Sequence, residues 1–129
     1  MCGILGCLPA VAPALFLEAL NLLQHRGLDG YGVWSDENQT IMLGHRRLAI
    51  FDLSPNGAQP MHYGRFTITY NGEIYNFPEL KQVLQSLGHQ FATQTDAEVI
   101  LAAFTQWGNS CWEKFNGMWA VAIWDNREQ

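Results

Sequence analysis

Apolar segments typical of buried strands stand at both ends of the chain, and amphipathic helices lie between them. Residues 2–8 are apolar and punctuated by glycine, and residues 118–124 mix aromatic with small side chains. Residues 14–24, 77–87 and 97–107 repeat apolar side chains at three- and four-residue steps, the spacing of one helical face. Because a sheet face and a helical stripe each have to be buried against another element, this order predicts sheets covered by helices, an α+β layered domain.

Further strands are predicted in the first half of the chain. Residues 31–35 and 40–43 flank a polar tetrapeptide and indicate a hairpin. Residues 47–53 form an apolar, β-branched run, and residues 66–70 alternate apolar side chains with threonine. Asn76 stands where it can cap the second helix.

A chain of 129 residues, 48% hydrophobic and 15% charged, is predicted to fold as one globular domain with a substantial core. No apolar stretch approaches the roughly 18 residues that span a bilayer, and the uncharged start does not have the pattern of a signal peptide. Cys2, Cys7 and Cys111 are odd in number and have no CxxC spacing, which argues against disulfides and structural zinc. We therefore expect a cytoplasmic protein with reduced thiols, no metal site and no membrane partner.

The net charge of −5 disfavours a nucleic-acid partner, because binding phosphates requires a clustered basic surface. The basic cluster at residues 45–47 is too short for that purpose. The phosphate-binding patterns GxGxxG and GxxxxGK[ST] are both absent from the sequence. Nucleotide binding therefore has no support within these residues.

Cys2 is preceded by Met1 alone, so removal of that methionine would put a thiol and a free α-amine on one residue. A thiol with a pKa of ~8.5 is only slightly ionised at neutral pH, and an α-amine with a pKa of ~7.7 to 8.0 can take its proton. Cys2 is thus a candidate nucleophile with its own base. Taken alone, the run favours the alternative, a coincidence in which Cys2 simply begins a buried strand.

Asn71 and Gly72 directly follow a predicted strand. Asn-Gly at this place is a strong hairpin signal, and on its own the pair favours an ordinary type I′ turn. The functional interpretation is that the Asn71 side-chain amide and the Gly72 backbone N–H donate hydrogen bonds to a developing oxyanion. The absence of a side chain at Gly72 would leave room for a substrate.

Arg46 and Arg47 stand at the entrance of a predicted strand. Adjacent arginines usually mark a solvated surface. Successive strand residues face opposite sides, however, so one of the two can point into a cleft while the other stays in solvent. Arg47 could then hold a carboxylate with its planar guanidinium.

Asp96 begins the third predicted helix, where its simplest role is that of the N-cap. A carboxylate here could also receive a substrate ammonium, since a helix N-terminus favours the ionised form by roughly a few tenths to 1 kcal/mol. Both roles hold together only if one carboxylate oxygen stays free. The loop at residues 25–30 is, by composition, a turn with a salt bridge, and His62 and His89 are interpreted as ordinary surface or core histidines.

Six motifs follow one another in a distinctive order, with a further stretch, NGMWA at residues 116–120, near the end. They are MCGI at residues 1–4, HRG at 25–27, HRRL at 45–48, GAQPM at 57–61, NGEIYN at 71–76 and TDAE at 95–98. Together they resemble the class II glutamine amidotransferases and, among these, the glutaminase domain of asparagine synthetase. The order is far more specific than any single motif, and the similarity extends over the whole chain.

The resemblance implies a layered αββα sandwich of antiparallel sheets with flanking helices, the fold of the N-terminal nucleophile hydrolases. It also implies three catalytic residues. Cys2, exposed by the loss of Met1, would be the nucleophile, and its own α-amine would be the base. Asn71 and Gly72 would form the oxyanion hole.

The substrate-binding residues are implied in the same way. Arg47 would hold the α-carboxylate of L-glutamine, and Glu73 and Asp96 would engage its α-ammonium. Arg26 and Gly27 would support the loop beside the nucleophile.

The implied reaction is hydrolysis of glutamine through a γ-glutamyl thioester, with no cofactor in this chain. In a complete family member the ammonia travels to a synthetase domain, normally on the same chain, where aspartate is adenylated with ATP and magnesium and converted to asparagine. The alternatives are a relative that transfers ammonia to a sugar or peptide acceptor, and a catalytically silent domain that only binds glutamine.

Two features depart from the family pattern. The family usually has proline after His-Arg-Gly, and Leu28 stands there instead, so a fixed φ is lost and the loop is expected to loosen. The chain ends at Gln129, before further strands of the fold and before the synthetase domain. We therefore expect residues 1–129 to be a partial domain with exposed sheet edges, for which self-association, for instance as a homodimer, is open.

Overall fold

Two antiparallel sheets of three strands each form the centre of the structure, a computed structural model that describes residues 1–49 and 54–128. The strands are β1 (Gly3–Cys7), β2 (Gly30–Ser35), β3 (Met42–Arg47), β4 (Met61–Tyr63), β5 (Phe66–Ile74) and β6 (Gly117–Asp125). The helices are α1 (Pro13–Leu22), α2 (Phe77–Ser86) and α3 (Asp96–Trp107), with 3-10 turns at Gln24–Arg26, Pro55–Gly57 and Gly108–Lys114. The first sheet has the order β1-β3-β2, and the second has the order β4-β5-β6.

The two sheets stack face to face, and each carries helices on its outer side. α1 contacts β1 and β3 of the first sheet, α3 contacts β4 and β5 of the second, and β1 and β3 meet β5 between the sheets. Gly44 of β3 brings α1 close, because a side chain there would begin only 2.8 Å from the ring of Phe16. This order of layers confirms the predicted αββα sandwich of the α+β class.

α3 is the most deeply buried helix, since it lies between the second sheet and α2. Every residue from 97 to 103 is buried, and Ile100 packs with Ile68 of β5 and Leu84 of α2 in one apolar cluster. The three predicted helices are confirmed, with boundaries that agree to within two residues. Burial of this apolar stripe is the main force that fixes α3 against the sheet.

The two central strands extend further than the sequence predicts. β3 starts at Met42 and continues to Arg47, past the predicted end at residue 43. The strand predicted over residues 47–53 is wrong at its start, because Arg47 ends β3 and Leu48 and Ala49 are not in a strand. Its remaining residues, 50–53, lie outside the described residues.

Asn71 and Gly72 are not in a turn, so the type I′ interpretation is wrong. They lie within β5, where Asn71 pairs with Ala120 and Gly72 with Trp119 of β6. Glycine is required at position 72 because a Cβ would lie 2.2 Å from the carbonyl oxygen of Met118. Pairing along all nine residues of β5 and β6 outweighs the local turn preference.

Candidate functional site

One pocket, at the ends of β1, β3 and β5 and at the start of α3, is lined by every residue predicted to act in catalysis or substrate binding. These residues are Cys2, Arg47, Asn71, Gly72, Glu73 and Asp96. The fold therefore brings together positions that are spread over most of the chain.

The sulfur of Cys2 lies against the backbone of Leu48, which directly follows β3. The Leu48 N–H donates to Sγ at 3.3 Å, and the thiol is 3.6 Å from the Leu48 carbonyl oxygen. An N–H donor at the sulfur stabilises negative charge there, and the carbonyl accepts from the protonated thiol. The peptide groups of Leu48 thus position Sγ in both protonation states. Met1 still precedes Cys2 and lines the same pocket.

The loop predicted to support the nucleophile contacts Cys2 directly. Arg26 Nε donates to the carbonyl oxygen of Cys2 at 3.0 Å. Gly27 lies so close to β3 that a Cβ would stand 2.5 Å from the carbonyl of Arg46. The backbone of Cys2 is therefore tied to a loop that is itself packed on the central strand.

The salt bridge expected within this loop does not form among the described residues. Arg26 bonds to the backbone of Cys2, and Asp29 Oδ2 instead accepts from the Ala49 N–H at 2.8 Å. Both side chains satisfy backbone groups of neighbouring segments rather than each other. Leu28, which replaces the usual proline, is 73% exposed.

The two adjacent arginines lie on opposite faces of β3, as expected, but neither is left in open solvent. Arg47 lines the pocket, and its Nη2 would be 2.7 Å from a Cβ placed on Gly57. Arg46 is only 6% exposed, and its guanidinium lies 5.5 Å from the ring centroid of Tyr31. The expectation of a solvated partner is wrong because β3 is the central strand of its sheet.

Asp96 is the first residue of α3 and not its N-cap. The cap is Thr95, whose Oγ1 accepts from the N–H of Glu98 at 3.4 Å. Oδ2 of Asp96 accepts from the Tyr70 hydroxyl at 2.7 Å and from the Ile74 N–H at 3.1 Å. Oδ1 receives no hydrogen bond from the residues that the structure describes, which leaves it available to a ligand.

Glu73 shares this end of the pocket with Asp96. Burial raises the pKa of the Glu73 carboxyl, the nearby charge of Asp96 raises it further, and the N-terminal ammonium of the chain acts in the opposite direction. Two carboxylates therefore lie close together at this end of the pocket. A site with an arginine and two carboxylates matches the charges of an amino-acid zwitterion.

The edge of β5 that faces away from β6 presents three backbone N–H groups to the site. In an antiparallel pair, alternate residues direct their N–H groups to the partner strand and away from it. Tyr70 and Ile74 direct theirs away, to Gln59 Oε1 at 2.7 Å and to Asp96 Oδ2. Gly72 lies midway between them, so its N–H points to the same side, into the pocket that Gly72 lines.

Three further pocket residues, His45, Gln59 and Tyr70, were not predicted to act in the site. His45 could have been found, since it stands two residues before Arg47 on the same strand and therefore on the same face. Gln59 lies outside any helix or strand, where no periodicity points to it. It stands in the motif GAQPM, but the resemblance implied no role for it.

His45 is an uncharged buried base in this arrangement. It is 1% exposed, and its Nε2 lies 3.2 Å from the Tyr70 carbonyl oxygen. Burial lowers the pKa of its imidazole to about 4; the hydrogen bond to Tyr70 opposes that shift, and the charge of Arg47 adds to it. His62 and His89 lie outside the pocket, and each bonds to another side chain.

Residues 1–49 and 54–128 contain neither a membrane-spanning helix nor a metal-binding cluster. No helix there is long and apolar enough to cross a membrane. No group of three or more histidine, cysteine, aspartate or glutamate side chains there could hold a metal ion.

Comparison with known proteins connects this chain to one family. The family model described as "Glutamine amidotransferase domain" matches residues 1–129. An asparagine synthetase [glutamine-hydrolyzing] of Bacillus subtilis is 39% identical over 81% of this chain and 17% of its own length. A putative enzyme of the same name from Methanocaldococcus jannaschii is 38% identical over 99% of this chain and 28% of its own length.

Other matches show the range of the similarity. The amidase chry2 of Gibberella zeae is 38% identical over 86% of this chain and 17% of its own length. The solved glutamine phosphoribosylpyrophosphate amidotransferase of B. subtilis has a TM-score of 0.76 at 23% identity, over 97% of this chain and 35% of that one, and shares the fold.

The chain spans 17% to 28% of the length of the three relatives compared by sequence. The family model, in contrast, covers all of it. The chain therefore belongs to the glutamine amidotransferase domain family.

Proposed function

We propose that this domain hydrolyses the side-chain amide of L-glutamine, with Cys2 as the nucleophile once Met1 has been removed. The observation that carries the proposal is the meeting of Cys2, a backbone N–H of β5, one arginine and two carboxylates in a single pocket. Family membership and the names of the glutamine-hydrolysing relatives support the choice of substrate.

In this proposal the pocket binds the two ends of glutamine differently. Arg47 pairs with the α-carboxylate, and Glu73 together with Oδ1 of Asp96 binds the α-ammonium. A planar guanidinium matches a carboxylate, and ionised carboxylates accept from an ammonium. With the zwitterionic end held in this way, the side-chain carboxamide is the part that reaches Sγ.

The chemistry takes two steps. The Cys2 thiol transfers its proton to the α-amine while Sγ bonds to the amide carbon, and Asn71 Nδ2 and the Gly72 N–H stabilise the oxyanion. Return of that proton to the leaving nitrogen breaks the C–N bond, which releases ammonia and leaves a γ-glutamyl thioester. Water, with the α-amine as base, then attacks the thioester, the C–S bond breaks, and glutamate and the free thiol form.

For the whole protein we propose that the ammonia is used for the ATP- and magnesium-dependent amidation of aspartate in a synthetase domain of the same chain. The support is the name shared by the B. subtilis and M. jannaschii relatives. Transfer of ammonia to a sugar or peptide acceptor is the second candidate, since the similarity also extends to a relative that is not named an asparagine synthetase, amidase chry2. We place the reaction in the cytoplasm, where the three free cysteines of the described chain would stay reduced, with no nucleic-acid partner and no cofactor in this domain. A homodimer is the assembly to test first.

The experiment is to incubate the purified protein with glutamine and to measure glutamate and ammonia, after mass spectrometry has established that Met1 is absent. Cys2→Ala is expected to abolish release. Cys7→Ala is the matched control, because Cys7 is also partly buried but its thiol bonds to the Pro9 carbonyl and does not line the pocket. Undiminished release by Cys2→Ala would exclude Cys2 as the nucleophile.

A further inference from the structure

Two side chains hold the backbone of Tyr70 from opposite ends of the residue. Gln59 Oε1 accepts from the Tyr70 N–H at 2.7 Å, and His45 Nε2 lies 3.2 Å from the Tyr70 carbonyl oxygen. Because a carbonyl oxygen only accepts hydrogen bonds, Nε2 is the protonated nitrogen of His45. Nδ1 is then unprotonated, and it is buried without a hydrogen-bond partner among the described residues.

These side chains take the place of a missing strand. β4 pairs with β5 only as far as Ile68, so the groups of Tyr70 on that side have no strand partner. Tyr70 is 3% exposed, which also keeps water from them. Without Gln59 and His45, a buried N–H and a buried C=O would remain unpaired, which is unfavourable.

The two hydrogen bonds act on the peptide planes that lead into the oxyanion site. Gln59 holds the plane before Tyr70, and His45 holds the plane that joins Tyr70 to Asn71. The Gly72 N–H is the next group on the same edge of β5. Since oxyanion donors act only when aimed at the developing charge, a small rotation of these planes would misdirect both donors.

We propose that His45 and Gln59 are positioning residues for the oxyanion site, which act through the Tyr70 backbone and do not touch the reacting atoms. The inference rests on the proposed glutaminase function. It predicts a specific kinetic effect: loss of either side chain lowers kcat and leaves KM nearly unchanged, because the oxyanion exists only after substrate has bound.

The test compares His45→Leu and Gln59→Leu, which remove the hydrogen bonds, with His45→Gln, whose amide nitrogen can replace Nε2 as donor. Thr69→Val is the matched control. It removes another buried hydrogen bond between the sheets, from Thr69 Oγ1 to the Gly44 carbonyl at 3.0 Å, one residue from Tyr70. If a leucine variant does not fold, His45→Asn or Gln59→Asn replaces it, since the shorter amide stays polar but does not reach the Tyr70 peptide.

The readouts are kcat, KM and the affinities for glutamate and for its γ-semialdehyde, which forms an adduct with the Cys2 thiol. The variants without the hydrogen bond are expected to lose on the order of 10- to 100-fold in kcat. Affinity for the aldehyde should fall by a similar factor, whereas affinity for glutamate should change by less than about two-fold, since only the adduct uses the oxyanion donors. His45→Gln should retain most of kcat.

The inference is overturned if the variants lose no more kcat than Thr69→Val at an equal loss of thermal stability. It is also overturned if KM rises while kcat is unchanged, or if His45→Gln loses as much kcat as His45→Leu. Absence of glutamate release from the wild-type protein without Met1 is a different result, which overturns the proposed function and this inference with it.

Discussion

The hydroxyl of Tyr70 donates a 2.7 Å hydrogen bond to Oδ2 of Asp96. Burial raises the pKa of this phenol, and the charge of Asp96 raises it further, so Tyr70 remains a neutral donor. The Ile74 N–H donates to the same oxygen at 3.1 Å. The described residues thus occupy one oxygen of Asp96 and leave the other for the proposed contact with the ammonium of glutamine.

Tyr70→Phe is expected to raise KM for glutamine roughly 5- to 10-fold with little change in kcat, which corresponds to the loss of about 1 kcal/mol of hydrogen bonding. The reason is that Asp96 loses one of its two donors and is held less firmly. Steady-state kinetics test this, with Tyr63→Phe as control, because the Tyr63 hydroxyl bonds to His89 and does not line the pocket. Glutaramate, which is glutamine without its α-amine, should not distinguish Tyr70→Phe from the wild type; equal losses with both substrates would contradict the anchoring role of Asp96.

Gly27→Ala is expected to destabilise the fold by about 1 to 3 kcal/mol, because the new methyl group would overlap the backbone of Arg46. The Cβ would stand 2.5 Å from the carbonyl carbon and oxygen of that residue. Gly30→Ala, at the start of β2, is the control, since nothing lies within 4 Å of its Cβ position. Denaturant unfolding measures both variants, and a Gly27→Ala protein as stable as Gly30→Ala would show that the loop can move away from β3.

Acid is expected to destabilise the protein through His45. Its pKa is about 4 in the folded state, below the usual 6.5, so between these values the unfolded chain binds more protons. The contribution of His45 to the free energy of unfolding is therefore fully present above pH 6.5 and is lost as the pH falls toward 4. The total loss is up to about 3 kcal/mol. Denaturant unfolding across this range tests the sign.

His45→Gln cannot titrate, so its stability should fall less steeply between pH 6.5 and pH 4 than that of the wild type. His25→Gln is the control, because His25 is exposed and lies outside the pocket. If the free energy of unfolding depended on pH in the same way in the wild type and in His45→Gln, the buried imidazole would not be held neutral by the fold.

Glu98→Ala is expected to cost about 2 to 4 kcal/mol of stability, because it leaves three donors without their acceptor. The buried Glu98 carboxylate accepts from the N–H groups of Ala92 and Thr93 and from the Thr93 hydroxyl, all within 2.8 Å. These bonds hold the segment that leads into Asp96. Thermal unfolding should separate Glu98→Ala from the exposed control Glu113→Ala, and equal unfolding temperatures would count against this role.

Local structure was predictable from the sequence where it depends on residues that are close together in the chain. The apolar stripes predicted α1, α2 and α3, since a helix relates residues three and four positions apart. The motifs also identified the six residues that were predicted to act in catalysis or substrate binding, and all six line the pocket. The two-residue repeat of β3 places His45 on the face of Arg47, but it does not reveal the contact of His45 with Tyr70 on another strand. The contact of Gln59 with Tyr70 joins β5 to the segment before β4, which no sequence periodicity relates.

The sequence by itself determined the helices, the αββα class and the residue types that meet at the site. Only the tertiary structure decided that Asn71 and Gly72 continue a strand, that Arg46 is buried and that Thr95 caps α3. The physical reason is that long-range contacts contribute more free energy than local preferences. A turn or cap preference is worth about 1 kcal/mol, whereas pairing along the full length of β5 and burial between two sheets sum over many contacts. Long-range contacts therefore override local preference at the strand edge where the candidate oxyanion donors lie.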